Sequence, residues 1–219
     1  MKQLSVLILG IILTLFSCSL EEQSPDQEIE DKNQIVDTID SDSVLIQQLM
    51  DLNLKDQTLR FVLPDVTKRF GAGSQEEKYF WSLIHQQDSI NEKEIAQIID
   101  RYGWLGIDRV GEEANQSLWL IIQHAPLEVQ EKYLPLLRAS VDAGHSQGWH
   151  LAFLEDRVLM RNKKNQIYGT QSLYDQETKT FKIYPIEDVA HVNERREKLG
   201  METVEEFAEM NGYVYDQVK

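Results

Sequence analysis

The spacing of apolar residues constrains this chain more than any other feature. From Val44 to Arg161 the apolar residues recur at the three- and four-residue spacing of helical faces. After Gln166 the period changes to two, which predicts strands over Ile167–Tyr174 and Thr180–Tyr184 with a polar turn between them. The pattern therefore predicts a single compact domain that is mainly α-helical, with one β-hairpin at about residues 166–185.

Capping and helix-breaking residues divide the helical part. Ser43 predicts the start of the first helix, and Pro64 predicts its end. Asn91 with Glu94 is typical of a helix start, so the stretch before Gly103 is expected to hold two separate helices. Further helices are predicted at 112–124, 127–143 and 147–161, and two short ones after the hairpin, the last of them beginning at a Thr203/Glu206 capping box.

Residues 1–17 have the pattern of a signal peptide. Lys2 precedes an apolar run, Leu4 to Phe16, that is too short to cross the ~30 Å hydrocarbon core as a helix. The tetrapeptide Leu15-Phe16-Ser17-Cys18 is similar to the bacterial lipobox, whose cysteine is lipidated and becomes the new N-terminus. Cys18 is the only cysteine of the chain, so we expect a lipid anchor there and no disulfide. The alternative is an ordinary cleaved signal with an incidental cysteine.

Residues 18–43 are expected to join this anchor to the folded domain, residues 44–219. Nine acidic residues stand against one lysine between Ser19 and Ser43, which predicts a flexible tether. The formal net charge of the whole chain is −15, and no Lys/Arg-rich stripe is present, so we expect no nucleic-acid partner. We expect attachment to the membrane through Cys18, outside the cytoplasm at the bacterial cell envelope, and in the outer membrane if the host has one.

Several ionisable residues fall on apolar faces of the predicted helices. At about 100° per residue, Asp56 lies inside the leucine stripe of the first helix, with Arg60 one turn later. Asp156 and His124 lie among apolar residues of their own helices. A carboxylate that is buried alone is costly, so it either pairs or takes up a proton. We therefore expect Asp56, His124 and Asp156 to converge in a buried polar cluster.

The segment QIYGTQ, from Gln166 to Gln171, is expected to complete this cluster. As a strand it would point Gln171 inward, and Gly169 would let a ligand or another backbone come close. The candidate catalytic residues are His124 and Asp156. The candidate binding residues are Asp56, Arg60, Arg157, Gln166, Tyr168, Gln171 and Arg196.

These residues leave three functions open. A hydrolase or lyase would use His124 and Asp156 for proton transfer, with Arg157 or Arg196 holding an anionic group. A binding protein would hold a small anionic or amide-rich ligand, such as an envelope fragment, in the same cleft. A non-catalytic interaction domain would use the polar network only to specify its fold. The phosphate-loop, G-x-S-x-G and H-E-x-x-H motifs are missing from the sequence, so neither a cofactor nor a metal site is predicted.

The same residues carry a resemblance to a family. The order of motifs is similar to that of the uncharacterised bacterial domain-of-unknown-function family 6624, and the matching motifs are DQTLR (56–60), Asp88, Gly103-Trp104, QHA (123–125), Asp156-Arg157, QIYGTQ, PIED (185–188) and RREKLG (195–200). The similarity covers about residues 44–200. Because no activity is established for that family, the resemblance supports the set of residues and implies no reaction.

Overall fold

The computed structural model describes residues 25–217, and it describes side chains from Asp42 onward. The predicted signal peptide, the predicted lipidation site at Cys18 and the start of the predicted tether lie outside the described residues. The described residues from Asp40 onward form one compact unit. Among the helices that the structure describes, none has the length and apolarity needed to cross a bilayer.

Eight α-helices and one β-hairpin account for most of the described residues. Their order is α1 (Pro25–Phe70), α2 (Gln75–Tyr102), α3 (Ile107–Val110), α4 (Glu112–His124), α5 (Leu127–Asp142), α6 (Gly148–Arg161), β1 (Ser172–Asp175), β2 (Thr180–Ile183), a 3-10 turn (Val189–His191), α7 (Val192–Lys198) and α8 (Val204–Asn211). The prediction of a mainly helical fold with a single hairpin is therefore confirmed.

The first helix has different ends from those predicted. α1 begins at Pro25 and not at Ser43, and the sequence between them contains neither a glycine nor a second proline that would break a helix. It also continues through Pro64, which removes one backbone hydrogen bond. Thr67, one turn later, donates its hydroxyl to Glu77 of α2 at 2.6 Å. This contact holds the last turn of α1 against α2 and helps to offset the missing bond.

The second helix is continuous where two helices were predicted. α2 passes through Asn91 without a break. The Asn91 side chain is buried and accepts a hydrogen bond from Gln87 at 2.8 Å, so its oxygen is used inside the helix rather than at a cap. The sequence signal at Asn91 was therefore wrong, because burial gave the side chain a different partner.

The hairpin is shorter than predicted. β1 and β2 pair antiparallel, with Ser172 opposite Ile183 and Asp175 opposite Thr180. Residues 166–171 form a loop and not a strand, apart from a single bridge between Gln166 and Ile186. The backbone N–H groups of this loop turn toward a carboxylate of α6, described below, and so are not available to a neighbouring strand.

The apolar core has two parts that meet at α6. The larger part lies between α1, α2, α4, α5 and α6 and is centred on Leu49, Ile95, Leu118, Leu137 and Leu154. The smaller part joins the hairpin to α7 and α8 through Ile183, Ile186, Val192, Val204 and Phe207. Phe153 of α6 packs against both parts, so α6 positions the C-terminal quarter of the chain on the helical bundle.

Candidate functional site

The carboxylate of Asp156 is the centre around which the loop 166–171 is folded. Asp156 is fully buried in α6. It accepts hydrogen bonds from the backbone N–H groups of Ile167 (2.7 Å), Tyr168 (3.0 Å) and Thr170 (2.9 Å), and from the Thr170 hydroxyl (2.9 Å). Burial raises the pKa of Asp156 above its ordinary value, and these hydrogen bonds act in the opposite direction. The Asp156 carboxylate therefore stabilises the conformation of the loop.

Two glutamines close the same loop. The Gln166 side chain accepts from the backbone N–H of Gln171 at 2.8 Å and donates to the carbonyl of Tyr184 at 2.7 Å. The Gln171 side chain donates to the carbonyl of Phe153 at 3.3 Å and to the Thr170 hydroxyl at 3.0 Å. Both side chains are buried, and their hydrogen bonds stabilise the conformation of the loop.

Arg196 of α7 fastens the loop to the C-terminal helices. It is fully buried, its Nη1 donates to the carbonyl of Tyr168 at 2.8 Å, and its Nη2 lies 3.2 Å from the Glu202 carboxylate. Burial lowers the pKa of Arg196. The structure therefore brings five of the predicted site residues into one arrangement, which we term the loop cluster: Asp156, Gln166, Tyr168, Gln171 and Arg196.

Arg157, the residue after Asp156, faces a cleft between α6, the loop and α8. The cleft has a volume of about 350 Å³, and its lining includes Phe153, Met160, Gln171 and Phe207. The Arg157 Nε is buried and has no hydrogen-bond partner among the described residues. Burial, together with a smaller effect of the Arg161 charge, lowers the pKa of the Arg157 guanidinium to about 10. Arg157 is half-buried, so its charge is partly removed from water without a counter-charge beside it, which costs free energy.

A second polar cluster joins α1, α2 and α4, and we term it the helix cluster (Asp56, Arg60, Asp88 and His124). Asp56 is buried, and His124 Nδ1 lies 3.1 Å from its carboxylate. Arg60 lies 3.3 Å from Asp56 and 2.8 Å from Asp88. Asp88 was missed as a site residue from the sequence, where its place in the motif order was the only signal.

The two clusters are distinct, whereas the sequence predicted one. Among the hydrogen bonds and ion pairs of side chains 42–217, none joins His124 to Asp156. The two clusters are linked indirectly through the carbonyl of Phe153. Gln123, which precedes His124, and Gln171 of the loop cluster both donate to this carbonyl at 3.3 Å. The expected convergence of Asp56, His124 and Asp156 in one cluster is therefore not observed: Asp56 is the carboxylate beside His124, and Asp156 lies in the loop cluster.

The fold and its sites define a small helical domain with one hairpin, in which most of the sequence motifs contribute to two polar clusters. A family model described as a family of unknown function, DUF6624, matches residues 44–218. The chain belongs to this family. Neither a curated protein nor a solved structure matches the chain.

Proposed function

We propose that the domain binds a small anionic ligand in the cleft around Arg157, as part of a lipid-anchored protein of the bacterial cell envelope. The observation that carries the proposal is the half-buried Arg157, whose Nε is buried and has no hydrogen-bond partner among the described residues. Removing a cation from water costs several kcal/mol unless another charge compensates it. An anion in the cleft supplies that compensation.

The cleft also indicates what else the ligand carries. The exposed lining is mostly polar and includes Thr170 and Asn211 beside Arg157, whereas Phe153, Met160 and Phe207 add a smaller apolar part. A volume of about 350 Å³ is at the small end of the range for small-molecule sites. A carboxylate matches a guanidinium through two parallel hydrogen bonds. The ligand class that fits is a small carboxylate with an apolar or amide-containing body, such as a fragment of an envelope peptide.

The alternative of joint acid–base catalysis by His124 and Asp156 has less support. Asp156 is enclosed by donors of the loop, and His124 lies beside Asp56. Two groups that act on one substrate must both reach it, and these two are bound to different partners. Binding without turnover is therefore the function that we favour.

Titration with N-acetylalanine, followed by calorimetry, tests the proposed ligand class. Wild-type protein should bind N-acetylalanine and bind its neutral amide at least tenfold more weakly, because only the acid offers a charge to Arg157. Arg157→Gln should lose binding of the acid. The matched control is Arg69→Gln, which removes the same charge from an exposed position. Equal binding of acid and amide, or equal loss in both variants, would contradict the proposal.

The envelope location has its own test, because it rests on the N-terminal sequence. Cells that produce the protein are fed a fatty-acid probe, and the wild-type chain should take up the label. Cys18→Ser should remain unlabelled. A wild-type chain that takes up no label and fractionates as soluble protein would exclude the anchor.

A further inference from the structure

We propose that Asp56, Asp88 and His124 form a binding site for a divalent transition-metal ion such as Zn²⁺ or Co²⁺. One ligand atom of each residue lies within 4.8 Å of the other two. Ligand atoms on a tetrahedral zinc ion are about 3.3–3.6 Å apart, because each lies about 2.0–2.2 Å from the metal, so the most distant atoms must approach by about 1 Å. Small side-chain rotations therefore suffice to bring the three atoms onto one ion.

The donor set is chemically suitable. One imidazole nitrogen and two carboxylates suit a borderline metal such as Zn²⁺, whereas Mg²⁺ and Ca²⁺ prefer oxygen alone. Three protein ligands leave a fourth position for water or for another molecule. The sequence did not predict this site, because its ligands come from three helices and lie up to 68 residues apart.

Two details distinguish this cluster from an ordinary ion-pair network. His124 Nδ1 lies 3.1 Å from both oxygens of the Asp56 carboxylate. Charge-assisted hydrogen bonds are shorter, about 2.7–2.9 Å, so the imidazole is not aimed closely at either oxygen. The Asp88 Oδ1 atom is buried and lies 2.8 Å from Arg60 Nη2, but the hydrogen bond of good geometry from that nitrogen goes to Oδ2. A metal ion would use these lone pairs.

Arg60 is the cation that balances the two carboxylates in this structure. Its Nη2 donates to Asp88 Oδ2 at 2.9 Å, and its Nη1 lies 3.3 Å from Asp56. A metal ion and the guanidinium compete for the same negative charge, so removal of Arg60 should tighten metal binding. If the cluster is only an ion-pair network, Arg60→Gln should not bind a specific ion. Loss of Arg60 would then simply leave two carboxylates without a compensating charge.

The test is a titration of the full-length chain, purified without a polyhistidine tag. Zn²⁺ binding is measured by calorimetry and Co²⁺ binding by visible absorption. We expect one ion per chain, at least tenfold tighter binding in Arg60→Gln, and loss of binding in His124→Ala and Asp88→Asn. The matched control is His191→Ala. His191 also pairs with an aspartate, Asp188 at 2.9 Å, but this pair is exposed and lies outside the helix cluster.

The outcomes separate a metal site from a structural network. The proposal is overturned if neither the wild type nor Arg60→Gln binds an ion, or if His124→Ala and His191→Ala bind equally well. Asp88→Asn has almost the shape of the native side chain, so circular dichroism and thermal unfolding can show that it folds while its ligand is lost. The metal site and the cleft around Arg157 are lined by different residues, so either proposal can fail alone.

Discussion

Thr170 donates both its backbone N–H and its hydroxyl to the same carboxylate oxygen of Asp156, each at 2.9 Å. This double contact ties the loop before the hairpin to the middle of α6. Thr170 also lines the cleft that Arg157 faces, whereas Asp156 is fully buried. The shape of the proposed ligand site therefore depends on a buried carboxylate that does not itself face the ligand.

Replacing Asp156 by asparagine should destabilise the fold. The new amide group would place N–H donors against the backbone donors of the loop, and the negative charge that compensates them would be lost. We expect a loss of about 2–4 kcal/mol in the free energy of unfolding, measured with urea. Asp142→Asn changes the same charge at an exposed position of α5 and should have an effect below about 0.5 kcal/mol. Similar effects of the two substitutions would contradict this role of Asp156.

Replacing Arg157 by methionine should stabilise the ligand-free protein. Methionine keeps an unbranched stem against the cleft wall and removes a desolvated charge. We expect a gain of about 1–3 kcal/mol, measured by urea unfolding without added anions. Arg138→Met is the comparison, because Arg138 is paired with Glu155 at 2.6 Å and should give a loss or no change. A clear loss of stability in Arg157→Met would mean that this arginine serves the fold.

His150 should make the protein less stable in acid. Its ring is fully buried and stacked on Trp119 at 4.7 Å, and burial lowers the pKa of His150 from 6.5 to about 3. Between these values the unfolded chain binds the proton and the folded chain does not. The contribution of His150 is therefore complete above pH 6.5 and is lost progressively as the pH falls toward 3.

The substitution His150→Phe isolates this effect, because phenylalanine keeps the aromatic stacking and cannot take up a proton. Between pH 7 and about pH 4.5, wild type should lose about 3 kcal/mol more unfolding free energy than His150→Phe. His85→Phe, at an exposed position, should lose as much as wild type. Parallel pH profiles for wild type and His150→Phe would show that the imidazole is not held neutral.

Replacing Gly169 by alanine should cost more stability than replacing Gly73 by alanine. Both glycines have a left-handed backbone, with φ of +76° and +77°. A Cβ on Gly169 would lie 2.8 Å from side-chain atoms of Ile186 and Val204, whereas nothing lies within 4 Å of a Cβ on Gly73. The backbone strain cancels in the comparison, so we expect an excess of about 1–3 kcal/mol from overpacking in urea unfolding. Equal costs would mean that the loop moves aside freely.

Local signals predicted the elements that are stabilised locally. α4 and α6 lie within one residue of the predicted bounds, and the capping box of Thr203 and Glu206 is present at the start of α8. Each of these depends on residues within a few positions along the chain. The errors at Pro64, Asn91 and QIYGTQ have the opposite origin. At each of them a contact to a distant element, or burial, outweighed the local preference.

The sequence by itself determined the helical class, the single hairpin and the polar residues that had to be buried with partners. These features follow from the spacing of apolar residues along the sequence and from the free-energy cost of burying a charge without a partner. Neither depends on which helices become neighbours. Only the tertiary structure decided the pairing: Asp156 with the backbone of its loop, His124 with Asp56, and Arg157 with a cleft. Partner choice is set by the docking of α1, α2, α4 and α6, and the separation of residues along the chain carries no information about it.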